Sequence, residues 1–157
     1  MFLKDYKIGN WVLIQYSAIS FDISEIKNIE LIDMENEKAI AELVKFTEPQ
    51  NPIVVDSHDK WDQIKPIKLN DNLVKIIKES HPNFIIEDCI LSNLGNGLFR
   101  FELKTGVNKI TAEIKYLHQL QNILNQIGIQ LENSMKGVII YNFKNNNILN
   151  FDYRNEL

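Results

Sequence analysis

Apolar and polar positions change period along the chain, with short alternating runs at the front and mixed periods behind. After the turn chemistry of Gly9-Asn10, the aromatic and β-branched run from Trp11 to Tyr16 predicts a first strand. Between Ser17 and Met34 the apolar residues Phe21, Ile23, Ile26, Ile29, Leu31 and Ile32 switch phase near Ser24 to Lys27. That switch predicts strand, turn, strand, with a short helix around Ser24 to Asn28 as the alternative. A polar turn at Met34 to Lys38 leads into Ala39 to Phe46, read as a strand. Pro49 and Pro52 then bound an exposed loop, because proline lacks the N–H that a central ladder needs. Ile53-Val54-Val55 is a short strand, and the alternation from Trp61 to Leu69 places Pro66 on an edge or at a bend.

Behind Leu69 the period lengthens. Asn70 or Asp71 can cap a helix whose apolar stripe is Leu73, Ile76 and Ile77, and His81-Pro82 ends it. A hairpin follows, with Asn83 to Leu91 as one strand, Asn93 to Gly97 as the turn, and Leu98 to Leu103 as the other strand with Phe99, Phe101 and Leu103 on one face. Lys109 to Lys115 reads as a third strand. Tyr116 to Ile127 reads as a helix through Leu117, Leu120, Leu124 and Ile127, stopped by Gly128. The β-branched run Val138-Ile139-Ile140 predicts a last strand over Met135 to Phe143.

The fold class is therefore α+β: a bent antiparallel N-terminal sheet, small-barrel-like, followed by helix, β-hairpin, helix and strand. The 157 residues, 45% apolar and 24% charged, suit a single domain over 1–157 with a β-rich half at 1–69 and a mixed half at 70–157. The sequence shows neither a leader nor an apolar run of membrane-spanning length, which predicts a cytoplasmic protein without membrane contact. The net charge of −4 is uneven: Met1 to Lys60 carries 11 acidic and 6 basic residues, and Trp61 to Leu157 carries 10 and 11. Two arginines, Arg100 and Arg154, make nucleic acid a lesser partner than protein.

Candidate chemistry is sparse. Asp56-Ser57-His58-Asp59 holds a carboxylate, a hydroxyl and an imidazole, but neighbours on one loop seldom converge as a triad requires. Glu87-Asp88 would face opposite sides of a strand. Cys89 has no cysteine partner, and the three histidines lack ligand spacing, so neither a catalytic residue, a cofactor nor a metal site is expected. Leu94-Gly95-Asn96-Gly97 has hairpin chemistry, not the pattern of a phosphate loop. The ligand-binding candidates are Tyr116, His118, Gln119 and Asn122 on one helical stretch, against the alternative that they satisfy buried polar groups. Trp11 and Trp61 are the interface candidates, with at least one expected in the core.

Three segments, Lys7-Ile8-Gly9-Asn10-Trp11-Val12, Ile64-Lys65-Pro66-Ile67-Lys68-Leu69 and Ile114-Lys115-Tyr116-Leu117-His118-Gln119-Leu120-Gln121-Asn122, occur in an order that resembles a family of small uncharacterised proteins from Bacteroidetes phages and integrated elements. The second is similar to that family's I-x-P-I-P-L-T-E-E-W-L segment and the third to its Y-V/L-H-Q-L-Q-N segment. Lys68 stands where the family has its second proline, and Asn70-Asp71-Asn72 replaces the Thr-Glu-Glu cap. The resemblance implies a phage or mobile-element origin and no activity.

Together these features predict a non-enzymatic accessory or binding protein acting through an unidentified protein partner, with the acidic front half as the contact surface. A small-barrel nucleic-acid module using Lys65, Lys68, Lys75 and Lys78 is one alternative, and a small-ligand binder or enzyme centred on Tyr116, His118 and Gln119 is another. Unpaired sheet edges also leave room for a homodimer.

Overall fold

In the computed structural model, which describes residues 6–17, 20–33, 35–36, 38–56, 64–80, 89–105 and 108–144, a turn at Lys7 to Asn10 sets up the first strand. The Asn10 N–H donates to the Lys7 carbonyl at 3.1 Å, and Gly9 takes a φ of 95°, which its missing Cβ permits. The same turn is tied to the next strand, since Gly9 N–H donates to the Ile26 carbonyl at 2.7 Å and Ile26 N–H to the Asn10 carbonyl at 2.9 Å.

The chain divides into two compact units, one containing described residues up to Ile67 and the other beginning at Lys68. In the first, β1 (Trp11–Ser17), β2 (Ser20–Asp33), β3 (Lys38–Lys45), β4 (Glu48–Asp56) and β5 (Ile64–Pro66) form an antiparallel sheet in the order β4-β3-β2-β1-β5. Val12, Ile14, Ile26, Ala41, Leu43, Val55 and Ile64 are buried together, and the alternation along β3 puts Ala39, Ala41 and Leu43 on that face.

Two expectations for this unit are corrected. The phase switch near Ser24 to Lys27 is a register shift within the single strand β2, between Ile26 and Asn28, and no turn or helix interrupts it. An extra residue in one strand exchanges its faces while the ladder continues. The segment containing Pro49 and Pro52 is β4 itself and not a loop; it pairs with β3 alone among the described residues, and an edge strand tolerates prolines that a central one would not.

At the end of β2 the Asp33 carboxylate accepts from the Asn36 side chain at 2.6 Å and from the Glu35 N–H at 3.0 Å. The Asn36 side-chain bond, then the backbone N–H groups of Asn36 and Glu35, hold this carboxyl below its ordinary value. A lowered folded value means that the turn's stabilisation is fully present above the ordinary carboxylate value and is lost as pH falls through the lowered one. In an NMR pH titration, the Asp33 midpoint is expected below that of an unstructured aspartate and to rise in Asn36→Ala. An unshifted midpoint would remove the electrostatic account of this turn.

The second unit opens with α1 (Asp71–Ser80), capped as expected by Asn70, whose Oδ1 accepts from Leu73 N–H at 2.8 Å. A three-stranded antiparallel sheet follows, β6 (Cys89–Gly95), β7 (Leu98–Thr105) and β8 (Asn108–Ile114), in that order. Asn96 and Gly97 have φ of 56° and 77°, the positive pair of a type I′ hairpin turn. Phe99, Phe101 and Leu103 are buried on one face. The other carries Arg100 and Glu102, paired with Glu113 at 3.5 Å and Lys109 at 3.7 Å. The expected strand residues before Cys89, and His81-Pro82, lie outside the described residues.

The helix α2 (Leu117–Gln126) ends where Gly128, at φ 80°, lets its N–H reach the Asn125 carbonyl and the Ile129 N–H reach that of Leu124. The expected last strand is instead α3 (Ser134–Lys144). Met135 and Ile139, four residues apart, are buried while Val138 is exposed, so the burial follows a helical period and overrides the β preference of Val138-Ile139-Ile140. Antiparallel sheets with helices make an α+β protein, as the sequence predicts, with α3 in place of the final strand.

Candidate functional site

The polar residues at the start of α2 are drawn into the helix boundary. Tyr116 is the N-cap, with extended backbone, and its own cap chemistry is poor. Gln119, in the first turn, reaches back so that its Oε1 accepts from Lys115 N–H at 2.9 Å and Tyr116 N–H at 3.2 Å. The Tyr116 and His118 rings stack with centroids 5.8 Å apart. His118 is only 2% exposed, Gln121 is buried, and Gln119 and Asn122 are half-buried. The structure thus brings Tyr116, His118 and Gln119 together around a helix start. Gln119→Ala is expected to lower the unfolding free energy by about 1 kcal/mol in urea titration, through loss of this acceptor. A midpoint equal to wild type would show that water replaces it without loss.

Trp11 is 2% exposed, with its indole N–H on Glu25 Oε1 at 3.2 Å and its ring edge-on to Phe46 at 5.3 Å. Its indole is therefore packed within the protein and not presented as a surface. Trp61, Asp56-Ser57-His58-Asp59 as a group, and Glu87-Asp88 lie outside the described residues or their described side chains. Cys89 is buried. Among the described residues no cluster of His, Cys, Asp and Glu could hold a metal ion, and no helix is long and apolar enough to cross a membrane. Of Lys65, Lys68, Lys75 and Lys78, only Lys75 is exposed, the others are half-buried, and Lys78 Nζ donates to the Leu91 carbonyl at 3.1 Å.

Two surface features escaped sequence reasoning. The first is a groove of about 400 Å³ between α1 and the β6–β7 hairpin, floored by Val74, Leu91 and Phe99. It is crossed by the bond from Asn93 Nδ2 to Asp71 Oδ1 at 2.9 Å and by the Lys78 contact to Leu91. Asp71 and Asn93 are far apart in sequence, so no local signal joins them. Tyr116, His118, Gln119 and Asn122 do not line this groove.

The second is the outer face of the N-terminal sheet at its β2–β4 side. Register sets Asn28, Glu42 and Val54 in one cross-strand row, and Glu30 and Ile40 side by side in the next. Glu30 and Glu42 are thus diagonal neighbours, both exposed. Val54 is 61% exposed, and Ile32, near the end of β2, is 56% exposed; Leu31, 54% exposed, pairs with Ala39 and so belongs to the opposite face. The rows Ile29, Ala41, Val55 and Leu43, Ile53 alternate with these on the opposite face, where Ala41, Leu43 and Val55 are buried and Ile29 and Ile53 partly buried. No protein-family model, curated protein or solved structure matches this chain.

Proposed function

We propose that this chain is a non-enzymatic binding protein that acts by protein–protein contact through the β2–β4 side of its N-terminal sheet. The observation that carries this reading is the exposure of two large aliphatic side chains, Ile32 and Val54, on the sheet face that also carries the carboxylates Glu30 and Glu42. Exposed apolar side chains gain when a partner removes them from water, and neighbouring carboxylates select for the charge of that partner. An accessory role in a phage or mobile element, in the cytoplasm, is the biology that accompanies the proposal, on the strength of the sequence resemblance.

The test is affinity capture from a host lysate with the immobilised protein and with a double variant, Ile32→Lys with Val54→Lys. Both positions are exposed, so the variant should unfold at the wild-type temperature. Specific retention of a protein by the wild type and its loss from the variant is the expected result. Equal retention by both, or none by either, would count decisively against this surface.

A further inference from the structure

We infer that the end of β4, Ile53 to Asp56, is a docking edge that accepts an extended basic segment of a partner protein as an additional antiparallel strand; this rests on the protein-binding reading and specifies its mode. A strand paired on one side directs alternate N–H and C=O groups outward, and β4 pairs only with β3 among the described residues. Its first part is blunted, because Pro49 and Pro52 have no N–H and the ladder is irregular at Val44 and Lys45. Ile53 to Asp56, opposite Leu43 to Ile40, is regular.

Other edges are less suited. β5 is 3 residues long and ends at Pro66. The carbonyl of Leu91 in β6 is already taken by Lys78, and the charges Lys109 and Glu113 on β8 are matched by Glu102 and Arg100.

Charge complementarity identifies the occupant. An added strand would lie about 10 Å from β3, two strand spacings away. On the outer face, a lysine or arginine stem can lie across exposed Val54 while its cationic head meets the carboxylate of Glu42, with Glu30 diagonal to it. On the opposite face the incoming residues flank Ile53 and Val55 and should be apolar. The segment therefore alternates basic and apolar residues. A second copy of β4 does not meet this requirement, because Glu48–Asp56 contains no lysine or arginine.

The test is amide hydrogen exchange by NMR on the whole chain, with a short peptide of alternating lysine and valine and a counterpart of alternating glutamate and valine. The basic peptide is expected to slow exchange within Ile53 to Asp56 by about tenfold, and the acidic one to leave it unchanged. Glu42→Lys and the milder Glu42→Gln should each weaken the basic peptide, the former by about tenfold. Saturable binding without protection of this segment, or equal protection by the acidic peptide, would overturn the inference. So would a dimer that protects Ile53 to Asp56 without peptide, since a second copy would then be the occupant. Lysate capture that depends on Ile32 and Val54 while the peptide gives no protection leaves the protein-binding reading standing and rejects the added strand. Capture that fails while the peptide protects β4 does the reverse.

Discussion

Phe101→Ala is expected to lower the unfolding free energy by about 3–5 kcal/mol, the range for removing a buried aromatic ring. Phe101 is fully buried at the middle of β7, with Leu91 opposite it on β6 and Ala112 opposite it on β8. The small Ala112 cannot fill the space that the ring leaves, so the loss contains a cavity contribution in addition to the transfer of the ring into water. Phe101→Leu keeps much of the volume and should lose considerably less. The comparison that checks the packing account is Arg100→Ala, one residue away on the opposite face. Arg100 pairs with Glu113 at 3.5 Å, but both side chains are about half exposed, at 43% and 53%, and exposed pairs contribute roughly 0–1 kcal/mol. Urea titration of the three variants should therefore separate Phe101→Ala sharply from Arg100→Ala. Similar losses would mean that the inner face of this sheet is not the packing centre of its unit.

The second large effect is expected at a polar residue. Asn10 is fully buried, and its Oδ1 accepts from the Lys7 N–H at 2.7 Å. That bond and the backbone bond in the reverse direction, from Asn10 N–H to the Lys7 carbonyl, close the turn from both sides. Asn10→Ala removes the side-chain acceptor while the partly buried Lys7 N–H remains, and leaving a donor of this kind unsatisfied costs about 1–3 kcal/mol. The predicted signature is local as well as global: the Lys7 amide should exchange faster, and the Ile26 amide, which donates to the Asn10 carbonyl, should follow if the turn lifts from β2. A fall in stability with unchanged exchange at Lys7 would place the role of Asn10 elsewhere.

The contrast between these two positions bears on what can be read from a sequence. Phe101 stands in an alternating run beside an Asn-Gly turn, so its direction follows from the two-residue period of a strand and the positive φ that Asn96-Gly97 can adopt. The Asn70 cap, the buried stripe of α1 and the Gly128 stop are legible for the same reason: each is produced by groups within a few residues of one another. Asn10 is legible as a turn residue, but its burial depends on Ile26, which approaches through strand pairing.

The candidate site was less legible. Tyr116, His118, Gln119 and Asn122 form a conspicuous polar string. Their spacing along a helix does not reveal that Gln119 turns back to cap its own helix or that His118 faces inward. The surface proposed for binding has no motif, because Glu30, Glu42 and Val54 come from three strands and are adjacent only through register.

The sequence by itself determined the α+β class, the antiparallel N-terminal sheet, the hairpin turn and the first two helices, since alternation, capping and glycine conformation act over short distances. Tertiary structure alone decided that β2 continues through its phase switch, that the proline segment is an edge strand, and that Met135 to Phe143 is helical. In each case the local pattern was compatible with more than one backbone. Pairing with β1 and β3 along β2, the single neighbour of β4, and the burial of Met135 with Ile139 selected among them.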